Sequence, residues 1–262
     1  MSISVDSPLP KRLVGVSLKM YFDLQATEGY IQDLARTYRD TKHSCSMFVI
    51  PSSPAIRSAT VILQDTPDIA VGAQDCHWED KGAYTGETSP LLLKQVGCTL
   101  VELGHAERRR PPINEDDALV AKKALAAVRN GLVPLVCIGE KSRSKIMSEG
   151  VGLATRECTP QVMAVLDAVP SDAPLIFAYE PVWAIGAQEP ASPDHVCTVV
   201  HQLRSIILRK GRTGDIRILY GGSAGPGTWG TLKFAVDGLF LGRFAHDIEN
   251  FKKVVVEVEE DG

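Results

Sequence analysis

Eight short runs of this chain are apolar at successive positions rather than at every second one: Leu13–Val16, Met47–Ile50, Ile69–Ala73, Thr99–Leu103, Leu132–Ile138, Leu175–Tyr179, Ile216–Tyr220 and Val236–Leu241. A strand with one face in water alternates apolar and polar residues, so runs without alternation belong to strands covered on both faces. Between them lie segments with helical spacing: Leu24–Tyr38, residues 54–64, Pro90–Val96, Glu115–Arg129, Lys141–Val169, His195–Arg209 and Ile248–Val256. Ser192-Pro193 supplies a cap and a first-turn proline for one of these helices, and Gly131 supplies a stop for another. Strands and helices in strict alternation imply a parallel sheet with helices packed outside it.

Eight such units in 262 residues fit a closed (β/α)8 barrel, the TIM barrel architecture, better than an open sheet with a second domain. No linker, repeat or low-complexity tract divides the chain, so a single domain is expected over residues 12–262. Residues 1–11 are polar, carry Pro8 and Pro10, and are expected to form a flexible lead-in. Met1–Pro10 lacks the apolar segment of a signal peptide, and no apolar run approaches the ~20 residues of a membrane span. The net charge of −4 gives no footprint for nucleic acid. Six cysteines are scattered singly without metal-ligand spacing, which argues against zinc and for buried thiols in a reducing, cytoplasmic compartment.

In a barrel the chemistry gathers at the carboxyl ends of the strands. The first strand ends on Ser17 and delivers Lys19, the fourth ends on His105, and the sixth ends on Glu180, where Pro181 prevents the ladder from continuing. The seventh and eighth strands lead into Gly221-Gly222-Ser223 and Gly242-Arg243. Barrels often hold phosphate at these last two loops through backbone N–H groups that glycine lets come close. A cation, an imidazole, a carboxylate and two glycine-bearing turns on one rim suit a small phosphorylated anion with a base and an electrophile beside it. Behind Glu180, the apolar tract Val182–Ile185 and then Gly186 lie in a loop, which is costly unless that loop closes over something. Asp75 also falls near the rim, with no role to assign.

Lys19-Met20, Tyr84-Thr85-Gly86-Glu87, Glu102–Arg109, Ala178–Gly186, Leu219–Ser223 and Asp237–Gly242 occur in order and at barrel spacing. Through these motifs the chain resembles the triosephosphate isomerase family from about Val14 to Val255. The resemblance implies a cofactor-independent, metal-free aldose–ketose isomerase. Glu180 would be the base, His105 a neutral electrophile at a helix start, and Lys19 the group balancing enediolate and phosphate charge. Glu107 would hold Lys19 in the resting site, while Gly186, Ser223 and Gly242 would offer donors to the phosphate. Val182–Ala191 would be a lid, and Trp78–Ser89 the loop through which a homodimer forms.

Four positions depart from the family pattern. Ser17 stands where an asparagine is usual, Ala106 replaces a serine after His105, Gln188-Glu189-Pro190 alters the lid tip, and Arg243 replaces a second glycine at the phosphate loop. Ser17, the lid sequence with Pro190-Ala191-Ser192, and Gly242-Arg243 resemble a branch acting on four-carbon ketose phosphates such as L-erythrulose 1-phosphate and D-erythrulose 4-phosphate, with Arg243 either meeting the phosphate or pointing into solvent. The expected substrate is the three-carbon pair glyceraldehyde 3-phosphate and dihydroxyacetone phosphate, with the four-carbon substrates as the alternative. A barrel that binds phosphometabolites without turnover is the reading from another class.

Overall fold

The computed structural model describes residues 2–42, 44–186 and 190–261. Its core is a closed parallel barrel of eight strands: β1 (Leu13–Ser17), β2 (Ser46–Ile50), β3 (Ile69–Ala73), β4 (Leu100–Leu103), β5 (Val133–Ile138), β6 (Leu175–Tyr179), β7 (Ile216–Tyr220) and β8 (Gly238–Leu241). Each strand pairs with the next, and β8 pairs with β1 to close the ring, Leu13 lying opposite Gly238. All eight observed strands coincide with the apolar runs to within a residue or two at their ends.

The outer layer holds α1 (Leu24–Arg39), α2 (Ile56–Ile62), α3 (Pro90–Gln95), α4 (Ala106–Arg109), α5 (Asp117–Arg129), α6 (Met147–Ala168), α7 (Pro193–Arg209), α8 (Thr228–Leu232) and α9 (Ile248–Glu260). Local chemistry sets their starts. Asp23, Asp116 and Ser192 accept backbone N–H groups at the first turns of α1, α5 and α7. Gly131, at φ 72°, takes the left-handed conformation just past α5. Among the described residues no helix is long and apolar enough to cross a membrane.

Two apolar layers result. Side chains such as Val16, Val49, Val101 and Phe177 point outward to the helices, while Leu13, Phe48, Leu100, Leu135, Ile176 and Phe240 fill the barrel interior. The N-terminal segment differs from the flexible lead-in expected for it. Ile3 and Leu9 are 0% and 2% exposed and join the interior cluster. The Leu9 N–H donates to Asp215 at 2.8 Å, and Arg217 donates to the carbonyls of Leu9 and Pro10 at 2.6 and 2.7 Å. Closing the amino-terminal end of the barrel removes apolar area from water, and two apolar residues with anchored backbone suffice for this.

Candidate active site

Lys19 follows β1 with φ 50°, a left-handed conformation that side-chain-bearing residues rarely hold. Its carbonyl accepts Ser52 Oγ at 2.7 Å and Gln74 Nε2 at 2.8 Å, which hold this conformation in place. The ammonium then reaches Glu107 Oε1 at 2.9 Å, so the pair expected from the sequence is present. Burial works against the charge on Lys19, but the hydrogen bond and charge of Glu107, followed by Glu180 and Glu102, outweigh it and raise its pKa.

His105 follows β4 and caps α4. The backbone N–H of Glu107 donates to His105 Nδ1 at 3.1 Å. A ring nitrogen that accepts a hydrogen bond carries no proton, so Nε2 carries it and the ring is neutral. Burial, then the charge of Lys19, lowers the His105 pKa to about 4, so the imidazole stays neutral at ordinary pH. Its Nε2 faces Glu180 Oε2 at 3.4 Å.

Glu180, 4% exposed, follows β6. Among the described residues its Oε2 is buried without a hydrogen-bond partner, and its Oε1 has only the weak thiol donor Cys137 at 3.8 Å. Ala106 provides no hydroxyl that could hold this carboxylate. Burial, then the charge of Glu102, pushes the Glu180 pKa up to about 8. A carboxyl with a raised pKa and few partners is a stronger proton acceptor once ionised than a well-solvated one. Gly221 makes its position possible, since a Cβ there would meet Glu180 Cγ at 2.6 Å.

Glu102 was read from the sequence only as part of a strand motif, yet it belongs to this constellation. It lies on β4 with its side chain inside the barrel, 3% exposed. Ser17 Oγ donates to Glu102 Oε2 at 2.9 Å, and Cys137 Sγ is 3.9 Å from Oε1. Burial pushes its pKa up to about 7, while the hydrogen bond from Ser17 and the charge of Lys19 act the other way. The signal available in the sequence was an acid two residues after Leu100 in a strand whose alternate positions face inward.

A cavity of about 510 Å³ opens over these groups, lined among others by Ser17, Glu102, His105, Gly222, Ser223 and Arg243. Gly242 has open space beside it and Ser223 Oγ donates to the Ala184 carbonyl at 3.0 Å. Arg243 is exposed at the mouth, and its guanidinium comes within 3.6 Å of the position a Cβ would take on Gly186. It therefore spans the gap between the turn after β8 and Gly186. Gly186 itself takes φ 67°.

The lid base is tied down by Glu140, 0% exposed. Tyr179 Oη donates to it at 3.0 Å, Trp183 Nε1 donates at 2.8 Å, and His195 Nε2 lies 3.1 Å away. Ala187, Gln188 and Glu189 of the expected lid, including most of its altered tip, lie outside the described residues. Asp75 has a place as well. With Arg108, Glu115 and Lys123 it forms a network of ion pairs at 2.6–2.7 Å that fixes the start of α5 against the end of β3. Burial raises the Asp75 pKa despite the charge of Lys123.

This arrangement can take a proton from a carbon beside a carbonyl at Glu180, donate to the developing oxyanion from His105 Nε2, and balance its charge with Lys19. Comparison with known proteins agrees with that chemistry. A family model described as triosephosphate isomerase matches residues 12–258. L-erythrulose-1-phosphate isomerase of Pectobacterium atrosepticum is 41% identical, covering 94% of this chain and 95% of its own. Proteins of the same name from Rhizobium etli and Brucella abortus are 38% and 36% identical, each over 94% of this chain and over 91% and 96% of their own. With the family pattern matched across nearly its whole length and the isomerase side chains on one rim, the chain belongs to the triosephosphate isomerase family.

Proposed function

We propose that this isomerase acts on four-carbon ketose phosphates, interconverting L-erythrulose 1-phosphate and D-erythrulose 4-phosphate. The observation that carries the proposal is that relatives matching 94% of the chain are named for the first of these substrates. The site supports it through Ser17, whose short side chain leaves room in the cavity, and through Arg243, which lines the same cavity. The relatives' names shift the lead from the three-carbon substrate to the four-carbon alternative.

In the proposed reaction, Glu180 removes the proton on C3 of L-erythrulose 1-phosphate. The electron pair moves into a C2–C3 enediolate, and negative charge develops on O2 next to His105 Nε2–H and Lys19. Transfer of a proton from O3 to O2 by way of His105, and return of the Glu180 proton to C2, leaves the carbonyl at C3. No atom is gained or lost and no co-reactant enters. Gly186, Ser223, Gly242 and Arg243 hold the phosphate. Closure of the 182–191 loop keeps water away from an intermediate that would otherwise lose phosphate.

A homodimer is part of this proposal. Met20, 93% exposed beside Lys19, borders a second cavity of about 450 Å³ that also reaches Glu107 and Ile113. The 78–89 loop is braced for insertion into such a cleft on another copy. Trp78 and Tyr84 pack on His77, with ring centroids 3.9 and 4.2 Å from it. Six free cysteines suit a reducing cytoplasm.

The decisive experiment compares kcat/KM of the purified protein on L-erythrulose 1-phosphate and on dihydroxyacetone phosphate. A preference for the tetrulose of at least about tenfold is expected, which corresponds to about 1.4 kcal/mol of differential transition-state binding. A preference for the triose restores the three-carbon reading, and turnover of neither leaves the binding-only barrel.

A further inference from the structure

We infer that the buried Ser17–Glu102 pair binds the terminal hydroxymethyl group of a four-carbon substrate and so sets the chain-length preference of the site, an inference that rests on the function proposed above.

The argument starts from the cost of Glu102. Its neighbours inside the barrel include Leu100, Leu135 and Cys137, and a carboxyl placed among them loses most of its hydration. One oxygen receives the Ser17 hydroxyl at 2.9 Å. Among the described residues the other has only a thiol at 3.9 Å, a poor donor. The second oxygen therefore has lone pairs to spare, and Glu102 lines both cavities that meet at the rim. An isolated buried acid with spare acceptor capacity at a cavity wall calls for a donor from the ligand.

Topology says which part of the ligand arrives there. In a ring of eight strands, β4 lies across from β8. Glu102 thus stands at the end of the cavity remote from Gly242 and Arg243. A sugar phosphate anchored at the loop after β8, with its reacting carbons at Glu180 and His105, extends its next carbon toward β4, where Ser17 Oγ reaches inward from β1 to Glu102 at 2.9 Å. A three-carbon substrate ends at the reacting carbon. A four-carbon ketose phosphate continues with a CH2OH group, whose O–H is the donor that Glu102 lacks. Ser17 contributes by being short, and its hydroxyl can turn to accept from or donate to the same group. With a triose bound, the spare oxygen stays without a strong partner, which penalises the shorter substrate as well as favouring the longer one.

Two variants of the full chain test this: Glu102→Leu, which replaces a buried carboxyl by an apolar group suited to its surroundings, and Ser17→Ala. The readout is the ratio of kcat/KM for L-erythrulose 1-phosphate to kcat/KM for dihydroxyacetone phosphate within one preparation. The folded fraction and the titration of Glu180 cancel in that ratio. The ratio is expected to fall at least about tenfold in Glu102→Leu and about threefold or more in Ser17→Ala. If Glu102→Leu does not yield folded protein, the Ser17→Ala ratio decides alone. A wild-type enzyme that accepts the tetrulose, with both variant ratios within about twofold of it, overturns this inference and leaves the proposed function standing. A wild-type enzyme that turns over only the triose overturns both.

Discussion

Glu180 and His105 owe their complementary states to different local causes. The ring of His105 is kept neutral by a backbone N–H directed at Nδ1, reinforced by burial and the nearby Lys19. The Glu180 carboxyl is kept reluctant to ionise by burial and by a second carboxyl, Glu102. Shortening the base therefore harms the chemistry more than the fold. Glu180→Asp withdraws the carboxylate by roughly one C–C bond and is expected to lower kcat about a hundredfold or more. The melting temperature of that variant should stay within a few degrees of wild type, and steady-state kinetics alongside a thermal melt check both halves. The acid limb of the pH profile follows from the same environment. Turnover needs ionised Glu180, so kcat/KM rises about tenfold per pH unit as pH increases and levels near the raised pKa of about 8. Removing the like charge in Glu102→Gln moves that midpoint to lower pH, while burial, the larger cause, keeps it above the ordinary carboxylate value. A midpoint that stays put excludes Glu102 from the electrostatics of the base. The same shifts bear on stability with a definite sign. Both carboxyls are easier to protonate in the folded chain, so their contribution is fully present below about pH 4.5 and is lost as pH rises through about 7 and 8.

At the scale of elements, the site depends on α4 and α5 being held at the correct height above β3 and β4. α4 is only four residues long and has no buried residue of its own, so its position comes from its neighbours. Arg108 joins Asp75 beyond β3 to Glu115 before α5, and Lys123 of α5 bridges the same two acids. Lys123 is 2% exposed. Replacing it in Lys123→Met leaves Asp75 and Glu115 buried with only Arg108 as a cation, and breaking a buried pair in this way costs about 3–5 kcal/mol. Urea unfolding should show that loss as a lower midpoint with unchanged slope. A change under about 1 kcal/mol would mean that the network merely breaks even. The elements differ in how legible they were from sequence, for physical reasons. Strands such as Val133–Ile138 announce themselves because burial on both faces demands unbroken apolar runs. The helix expected to open at Ala106 is present as the single turn α4, whereas the five-residue α8 (Thr228–Leu232) carries no helical reading, since one turn is too short to show a 3.6-residue period. α6 was read as helical with a weak centre but runs continuously from Met147 to Ala168 through Pro160, because packing against its neighbours overrides the local penalty. Lys19, His105 and Glu180 are legible as candidates because each stands just past a strand end. Glu102 was missed as a site residue because it lies inside a strand, where a single acid among apolar residues carries no motif of its own.

For the molecule as a whole, the barrel divides into a face that works and a face that holds. The rim carries Lys19, His105 and Glu180 in strained or poorly satisfied settings, whereas the opposite opening is sealed by the N-terminal segment. Ile3, Val5 and Leu9, scattered among polar residues and two prolines, give no sustained periodic pattern, so that seal could not be read from sequence. Leu9 shows its worth. It is 2% exposed, packs into the interior cluster with Ile3 and Leu13, and its backbone is held at both the N–H and the carbonyl, by Asp215 and Arg217. Leu9→Ala keeps those backbone bonds and removes only buried side chain, leaving a cavity at the barrel floor. Such truncations cost about 2–5 kcal/mol. Because the floor lies at the far end of the strands from the rim, kcat and KM of the folded fraction are expected to stay within about twofold of wild type. Urea unfolding and kinetics on the same preparation separate the two effects. A stability loss below about 0.5 kcal/mol would return residues 1–11 to the status of a loose lead-in. A large change in kcat would mean instead that the apolar plug transmits strain from the floor to the site, because a close-packed interior moves as a unit when one layer is removed.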